Sequence, residues 1–446
     1  MNATSFDNNH NSRHHHIPRP TFILIIIVTA VTSCLTIQLT SHRASAPESQ
    51  EPTAEEPEIE TTSFDLIAVG DMLIHEGIYR DARQSSGGYD FKPMFENVKP
   101  IISSYDLAYY NQETVLGGTA LGLSGYPMFN SPQEVGDATL DTGFDLVSLA
   151  TNHTLDKGEA GVLTSVDYWH NHQKKSREEN SEPISLESDN GTIVASGQWA
   201  SQESRDEIKT YEKNGISYAF FSYTIPTNGL TPPAGKDYLT NIYSRDKAKA
   251  DIEKVKGKVD LIIVAMHWGT EYVLGDITAE QEQEANYLSS LGVQLIIGAH
   301  PHVIEPVTYL ENGDTKTFVI YSLGNFISDQ EGLMKNIGLA TALTVEKTIT
   351  PEELVVDSTV APKNTTTNED GSTTTITIKN PKAELIYTAA ARPNGAWDHD
   401  FKLYFESQLN DSILPNSQAT IAQYHTYVNP LYPELIWGVA KETNEN

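Results

Sequence analysis

Cysteine is almost missing from this chain: Cys34 is the one example in 446 residues. A disulfide framework within the chain and a Cys-rich zinc site are both excluded, so any bound metal takes nitrogen and oxygen ligands. Basic residues are also scarce, with 30 Lys and Arg against 60 Asp and Glu, a formal net charge of −30. Long-range repulsion then disfavours nucleic acid and anionic lipid head groups. A polyanionic ligand needs a local cation to bind at all. The sequence also lacks a G-x-S-x-G elbow, a P-loop and a G-x-G-x-x-G fingerprint, so the catalytic designs built on those motifs have no support in it. No internal repeat is visible.

Charge is absent altogether from residues 20–41, and residues 22–39 (FILIIIVTAVTSCLTIQL) are nearly all apolar. A helix over that run is about 27 Å long, enough to cross a bilayer core. Arg13 and Arg19 precede it and acidic residues dominate after it, so the positive-inside rule keeps the N-terminus in the cytoplasm and places the bulk outside. Val31-Thr32-Ser33-Cys34 also fits a permissive lipobox, which would make the protein a lipoprotein anchored at Cys34. Either way the bulk of the chain is tethered and extracytoplasmic. Residues 41–63 hold six Glu and three Pro and read as a solvated spacer. The expected organisation is a tail (1–20), an anchor (21–40), a linker (41–63), a main domain (64–345) and a C-terminal β-rich extension (346–446) packed on it.

From Phe64 the texture changes to short apolar runs separated by helical stretches. The runs are 64–69, 106–111, 145–150, 216–223, 260–266, 293–299 and 317–323. Continuous β-branched runs suit strands buried on both faces, and their alternation with helices predicts an α/β layered fold around a largely central sheet. Ser131-Pro132-Gln133-Glu134 and Thr278-Ala279-Glu280-Gln281 predict capping boxes, with Gly143 and Gly292 as the matching stops. The Thr-rich stretch 364–378 predicts a hairpin turning at Glu369-Asp370-Gly371.

Unusual polar residues fall where these runs end. Asp71 and His75 follow the first; Glu113 follows 106–111; Asn152, His153 and Asp156 follow 145–150. His267, Trp268 and Glu271 follow 260–266, His300 and His302 follow 293–299, and Asn325 follows 317–323. Ligands of open α/β sheets bind beyond the carboxyl ends of strands. Five of the nine histidines beyond the linker lie in these clusters, which predicts a metal site. The mixed imidazole, carboxylate and amide set suits Mn, Zn or Fe, and a carboxylate can bridge two ions about 3.5–4 Å apart.

GDMLIH (70–75), NQE (111–113), ATNHTLDKG (150–158), HWGTEY (267–272), GAHPHVIEPV (298–307) and YSLGNF (321–326) together resemble the CapA family, the poly-γ-glutamate capsule synthesis proteins. That family is similar to the calcineurin-like metallophosphoesterases. The resemblance implies an α/β/β/α sandwich with a dinuclear centre between the sheets. By motif, Asp71 is the first ligand and Glu113 the bridging carboxylate. Asn152 and His267 bind the second ion, and His300 and His302 divide between the two. His153 becomes the general acid, oriented by Asp156. Leu73 stands where the wider superfamily has the histidine of Asp-x-His, leaving His75 as a further candidate ligand. Trp268, Glu271 and Asn325 are candidate substrate contacts. The expected function is a metal-dependent phosphoester hydrolase in assembly of an anionic polymer such as poly-γ-glutamate. The alternatives are a non-catalytic subunit that binds and exports the polymer, and a metal-dependent γ-glutamyl amidase. The implied partners are the membrane, the polymer and membrane synthase or export subunits.

Overall fold

The computed structural model describes residues 57–178, 193–355, 362–391 and 400–441. The proposed tail, anchor and lipobox, and most of the linker, lie outside the described residues. Among those described, no helix is long and apolar enough to cross a membrane.

Each apolar run becomes a strand. In chain order these are β1 (Glu60–Leu73), β2 (Leu107–Asn111), β3 (Leu146–Ser148), β4 (Val194–Ser196), β5 (Tyr211–Lys213), β6 (Ile216–Thr224), β7 (Leu261–His267), β8 (Leu295–Ala299), β9 (Val307–Asn312), β10 (Thr315–Ile320) and β11 (Asn325–Ser328). Later strands are β12 (Ile337–Thr350), β13 (Thr365–Thr367), β14 (Thr373–Ala391), β15 (Asp400–Phe405) and β16 (Ile436–Trp437). They build two sheets, as the family resemblance implied, where the apolar runs alone suggested one largely central sheet. The first has the order β13-β14-β12-β1-β2-β3-β4, with β11 beside β1, and β15 and β16 beside β14. The second runs β5-β6-β7-β8-β10-β9. An apolar run marks a strand buried on both faces but carries no record of its partner, which is why the runs by themselves do not show the split. The site-bearing strands β1, β2, β3 and β11 lie in the first sheet, and β7 and β8 in the second.

Side-chain parity sorts the core into layers. Leu66, Ala68, Leu107 and Tyr109 of the first sheet share one apolar cluster with Leu261, Ile263, Ala265 and Leu295 of the second, so the sheets pack face to face. The alternate residues Ile67, Val69, Ala108 and Tyr110 face outward, onto α1 (Glu134–Thr142) and α2 (Gly158–Glu178). Ile262, Val264 and Met266 face outward on the other side, onto α3 (Arg245–Val255) and α4 (Ala279–Leu291). The layers are therefore helices, sheet, sheet, helices.

Local signals held at most helix ends. Thr278 and Gln281 form the expected box at the start of α4, and Gly292 stops it in the left-handed region. Gly143 stops α1 in the same way. Ser131 does not cap: Gln133 takes the N-cap position without a side-chain bond, and the Ser131 hydroxyl pairs with Thr114 Oγ1 at 2.7 Å instead. Tertiary bonding outcompetes a cap here, each bond being of similar strength.

Residues beyond 345 extend the first sheet. β12 crosses that position and pairs antiparallel with β14 from Ile337↔Tyr387 to Thr350↔Thr373. The Thr hairpin forms with Thr365 opposite Thr375, turning between Asn368 and Gly371. Helix α5 (Ser417–Val428) sends Tyr424 and Val428 into the core between the sheets.

Candidate metal centre

Backbone register brings the polar ends together. Asp71 stands opposite Asn111 on β2 and opposite Asn325 on β11, forming one row across the first sheet. The row needs Gly70, where a Cβ would lie 1.8 Å from the Gly324 carbonyl. On the second sheet His267 is in register with Ala299, so His300 follows directly beside it. Gly298 allows that approach, since a Cβ there would lie 1.8 Å from the Tyr321 carbonyl.

Glu113, His300 and His302 each offer a ligand atom, and these atoms lie within 4.8 Å of one another in a fully buried cluster. His302 Nδ1 is 3.2 Å from Asp71 Oδ2 and 3.1 Å from Asn325 Oδ1. Both are acceptors, so that nitrogen carries the proton and Nε2 faces Glu113 Oε1 at 3.5 Å. His267 Nε2 lies 3.0 Å from Asn152 Oδ1 and 3.8 Å from Glu113 Oε1. Asn111 donates through Nδ2 to Asp71 Oδ1 at 2.8 Å and also lies 3.3 Å from His267 Nδ1. Beside the cluster, His153 Nδ1 sits 2.7 Å from Asp156 Oδ2, which also accepts the Phe129 amide at 2.6 Å.

The cluster is under-satisfied. Both Glu113 carboxylate oxygens, Asn111 Oδ1, Asp156 Oδ1 and His300 Nδ1 are buried without a hydrogen-bond partner among the described residues. The backbone is strained as well, with φ of 101° at His300, 59° at His302 and 68° at Tyr272. Each such conformation costs about 1–3 kcal/mol and persists where surrounding structure enforces it. Orphaned carboxylate and imidazole atoms converging on one point are the condition a divalent cation satisfies, and this donor set fits one.

Electrostatics agree. Burial pushes His267 well down, and His300 and His302 add to it. Burial also holds His300 down at about 3 and His75 at about 4, so all three imidazoles are neutral, the ligand form. Burial opposes protonation of His302 too, but the Glu113 and Asp71 carboxylates override it and hold it up at about 9. Burial pushes the Glu113 carboxyl well up. Without a cation the pair therefore keeps a proton, which resides on His302, the group facing two carboxylates.

Three expected residues are placed differently from the cluster's donors. Trp268 is fully buried on the outward face of the second sheet, stacked on Tyr321 and donating its indole N–H to the Tyr321 carbonyl at 2.9 Å. It has no surface for substrate, because it follows His267 and parity turns it away. His75 lies edge-on to Phe129 with Nδ1 3.1 Å from the Leu73 carbonyl, outside the tight cluster. Asn325 holds the His302 ring through Oδ1 and donates through Nδ2 to Gln330 and the Lys335 carbonyl, so its contacts are to protein. Glu271 is half-buried and close enough for its charge to act on Glu113 and His302. The sequence reading assigned no role to Asn111, Phe129 or Asn228, whose Oδ1 accepts from Asn152 at 3.3 Å. Parity along β2 was the available signal for Asn111; the other two arrive from loops without periodicity.

These features define a two-sheet α/β protein with a buried metal-type centre where the strand ends meet. The chain belongs to the bacterial capsule synthesis protein family PGA_cap, whose model matches residues 65–330. It is similar to the PGA biosynthesis protein CapA of Bacillus subtilis (strain 168), with 27% identity over 290 residues, covering 62% of this chain and 67% of that protein. It is also similar to the capsule biosynthesis protein CapA of Bacillus anthracis, with 27% identity over 209 residues, spanning 45% of this chain and 44% of that one. Calcineurin-like phosphoesterases are among its structural neighbours. YfkN from Bacillus subtilis is 12% identical, covers 82% of this chain and 98% of its own, and has a TM-score of 0.37. The NAD nucleotidase NadN of Haemophilus influenzae is 10% identical, covers 86% and 65%, and has a TM-score of 0.39. At those scores the layering rests on this chain's own packing.

Proposed function

We propose that the protein is a divalent-metal-dependent hydrolase of the phosphoester type, acting outside the cytoplasm in assembly of an anionic capsule polymer such as poly-γ-glutamate. The observation that carries this reading is the pair of orphaned Glu113 oxygens beside His300 and His302. Glu113, His300 and His302 would hold the ion, with Asp71, Asn152 and His267 completing a site for one or two ions of Mn, Zn or Fe. A bound ion supplies Lewis acidity toward an ester oxygen. The chain's own residues supply the rest. Asp156 holds the His153 ring from Nδ1, leaving Nε2 to pass a proton to the departing oxygen. Phe129 packs edge-on against the His153 ring at 4.7 Å and helps fix its plane. Tethering through residues 21–40 would keep the centre at the cell surface.

Elemental analysis of the purified full chain should find about one to two divalent ions. The double variant His300→Ala/His302→Ala should lose most of them; unchanged metal content sinks the assignment. His153→Ala should keep metal and melting temperature but lower turnover of bis(4-nitrophenyl) phosphate by about 10²–10⁴-fold. A wild-type protein that turns over neither phosphoester nor poly-γ-glutamate, with a polymer-export defect in His153→Ala cells, would replace this reading with the export subunit.

A further inference from the structure

The two halves of the centre differ in how their polar atoms are satisfied. Glu113 and His300 keep buried atoms without partners among the described residues, and with His302 they form an open half. Asn152 and His267 form a closed half. His267 Nε2 lies 3.0 Å from Asn152 Oδ1, nearer than the 3.8 Å to Glu113 Oε1. Asn152 donates through Nδ2 to Asn228 Oδ1 at 3.3 Å, and that bond fixes Oδ1 as the atom turned to His267. On the other side of the ring, His267 Nδ1 lies 3.3 Å from Asn111 Nδ2, which also donates to Asp71 Oδ1 at 2.8 Å. Asn111 is fully buried at the end of β2, opposite Asp71 in the first sheet, and its amide reaches across to an imidazole of the second.

These contacts determine where the His267 proton sits. An amide nitrogen donates and offers no lone pair. The Asp71 carboxylate takes one Asn111 amide proton, which fixes the nitrogen, not the oxygen, on the side of Asp71 and His267. His267 Nδ1 therefore accepts. The single proton of the neutral ring lies on Nε2 and is given to Asn152 Oδ1. Neutral is the charge a ligand needs, but a proton on Nε2 occupies the lone pair of the nitrogen that faces Glu113. A metal-binding histidine carries its proton on the ring nitrogen away from the ion and gives it to an acceptor. Asn111 presents a donor in that place. Its acceptor atom, Oδ1, is buried without a partner among the described residues. A half-turn of the amide would give Oδ1 to an Nδ1–H and release Asp71 Oδ1.

We propose that Asn111 is a positioning residue that holds His267 in the tautomer unable to bind metal, so that the centre takes two ions unequally. The first binds on Glu113, His300 and His302. The second binds only after the His267 proton moves from Nε2 to Nδ1. The charge of the ring does not change: one proton leaves Nε2 to water and another arrives at Nδ1 as the Asn111 amide turns. This rests on the divalent-metal reading above. The test titrates Zn into the metal-free full chain labelled with nitrogen-15 histidine. Calorimetry should show two steps, the second about 10–100-fold weaker, the range set by a partner behind a ligand. The His267 resonances, identified by their loss in His267→Gln, should report Nε2–H in the metal-free protein and after one equivalent, and Nδ1–H at saturation. Asn111→Asp offers Nδ1 an acceptor, so it should shift the metal-free ring toward Nδ1–H and narrow the gap between the steps. The wild-type tautomer is read without any variant, which keeps the proposal testable should a second carboxylate beside Asp71 prevent folding. Nδ1–H in the metal-free wild type, or a single binding step, overturns the proposal. A folded Asn111→Asp with tautomer and gap both unmoved also overturns it. Failure of Zn to bind at all refutes the metal reading beneath it.

Discussion

Two buried polar clusters in this molecule have opposite hydrogen-bond accounts. In one, Arg205 grips Asp251 with two bonds of 3.1 and 2.6 Å and gives a third, of 3.1 Å, to Asn241. Tyr223 donates to the same Asp251 at 2.8 Å, and Asn241 closes the set on the Ser222 carbonyl at 2.9 Å. The other is the centre built on Glu113, where five buried polar atoms of four residues, with Asp156 beside them counted in, lack partners. Each unmet buried polar group costs about 1–3 kcal/mol, so a fold that keeps several at one point is arranged around something that meets them. Saturation marks architecture; its absence marks a place for a ligand.

Removing one carboxylate from each cluster gives the largest separation. Asp251→Ala strands the Arg205 guanidinium in the core and should cost about 3–5 kcal/mol in urea unfolding, with metal content per folded chain unchanged. Glu113→Gln removes a carboxylate that burial already disfavours. In the metal-free protein it should cost little or stabilise, while abolishing most metal binding. Equal destabilisation by the two variants, measured without metal, would erase the difference between the two clusters.

A smaller effect concerns protons. His302 is held up at about 9 by Glu113 and Asp71, against the pull of burial. Its folded value is raised, so the stability it adds to the metal-free protein is full below about 6.5 and is lost as pH rises through about 9. A metal must displace that proton. Affinity should therefore climb by about tenfold per pH unit through the neutral range and flatten near 9. Titration of Mn across that range reads the slope, and a flat profile would remove His302 from the ligand set.

How much of this was legible in the sequence depends on the range of the physics involved. Strand ends are local, so Asp71, Glu113, Asn152, His267, His300 and His302 could be read from where apolar runs stop. The assignment of those strands to two sheets is set by long-range pairing and was not readable from the runs. Parity is a local signal too: it turns His267 toward the opposing sheet and Trp268 into the helical layer, where the indole fills the core. Phe129 and Asn228 reach the site from irregular segments, in which neither period nor composition announces a position. Ser131 carried a correct cap signature that a hydroxyl partner 17 residues away in sequence displaced.

Glu305 offers the finest test, because it lies between the two kinds of cluster. It is fully buried, three residues after His302, and accepts one bond, from Gln281 Nε2 at 2.6 Å, while its other oxygen has no partner among the described residues. Gln281 in turn caps α4 through Thr278. The link ties the strained His300-Pro301-His302 turn to the loop that carries Tyr272, whose amide donates to the Pro301 carbonyl at 2.8 Å. Burial pushes the Glu305 carboxyl up to about 9, against the Gln281 bond, so it is neutral at pH 7. With its folded value raised, the protein binds a proton there that the unfolded chain releases above about 4.5, and stability falls as pH rises from that value through about 9. Glu305→Gln keeps the acceptor for Gln281 and removes the titration. Near pH 5 its melting temperature should match the wild type; near pH 9 it should be the higher of the two. Metal saturation cancels the His302 contribution and leaves this one, so the comparison belongs in the Mn-loaded protein. A constant gap between the two proteins from pH 5 to 9 would mean that Glu305 is ionised throughout and belongs with the saturated, architectural groups.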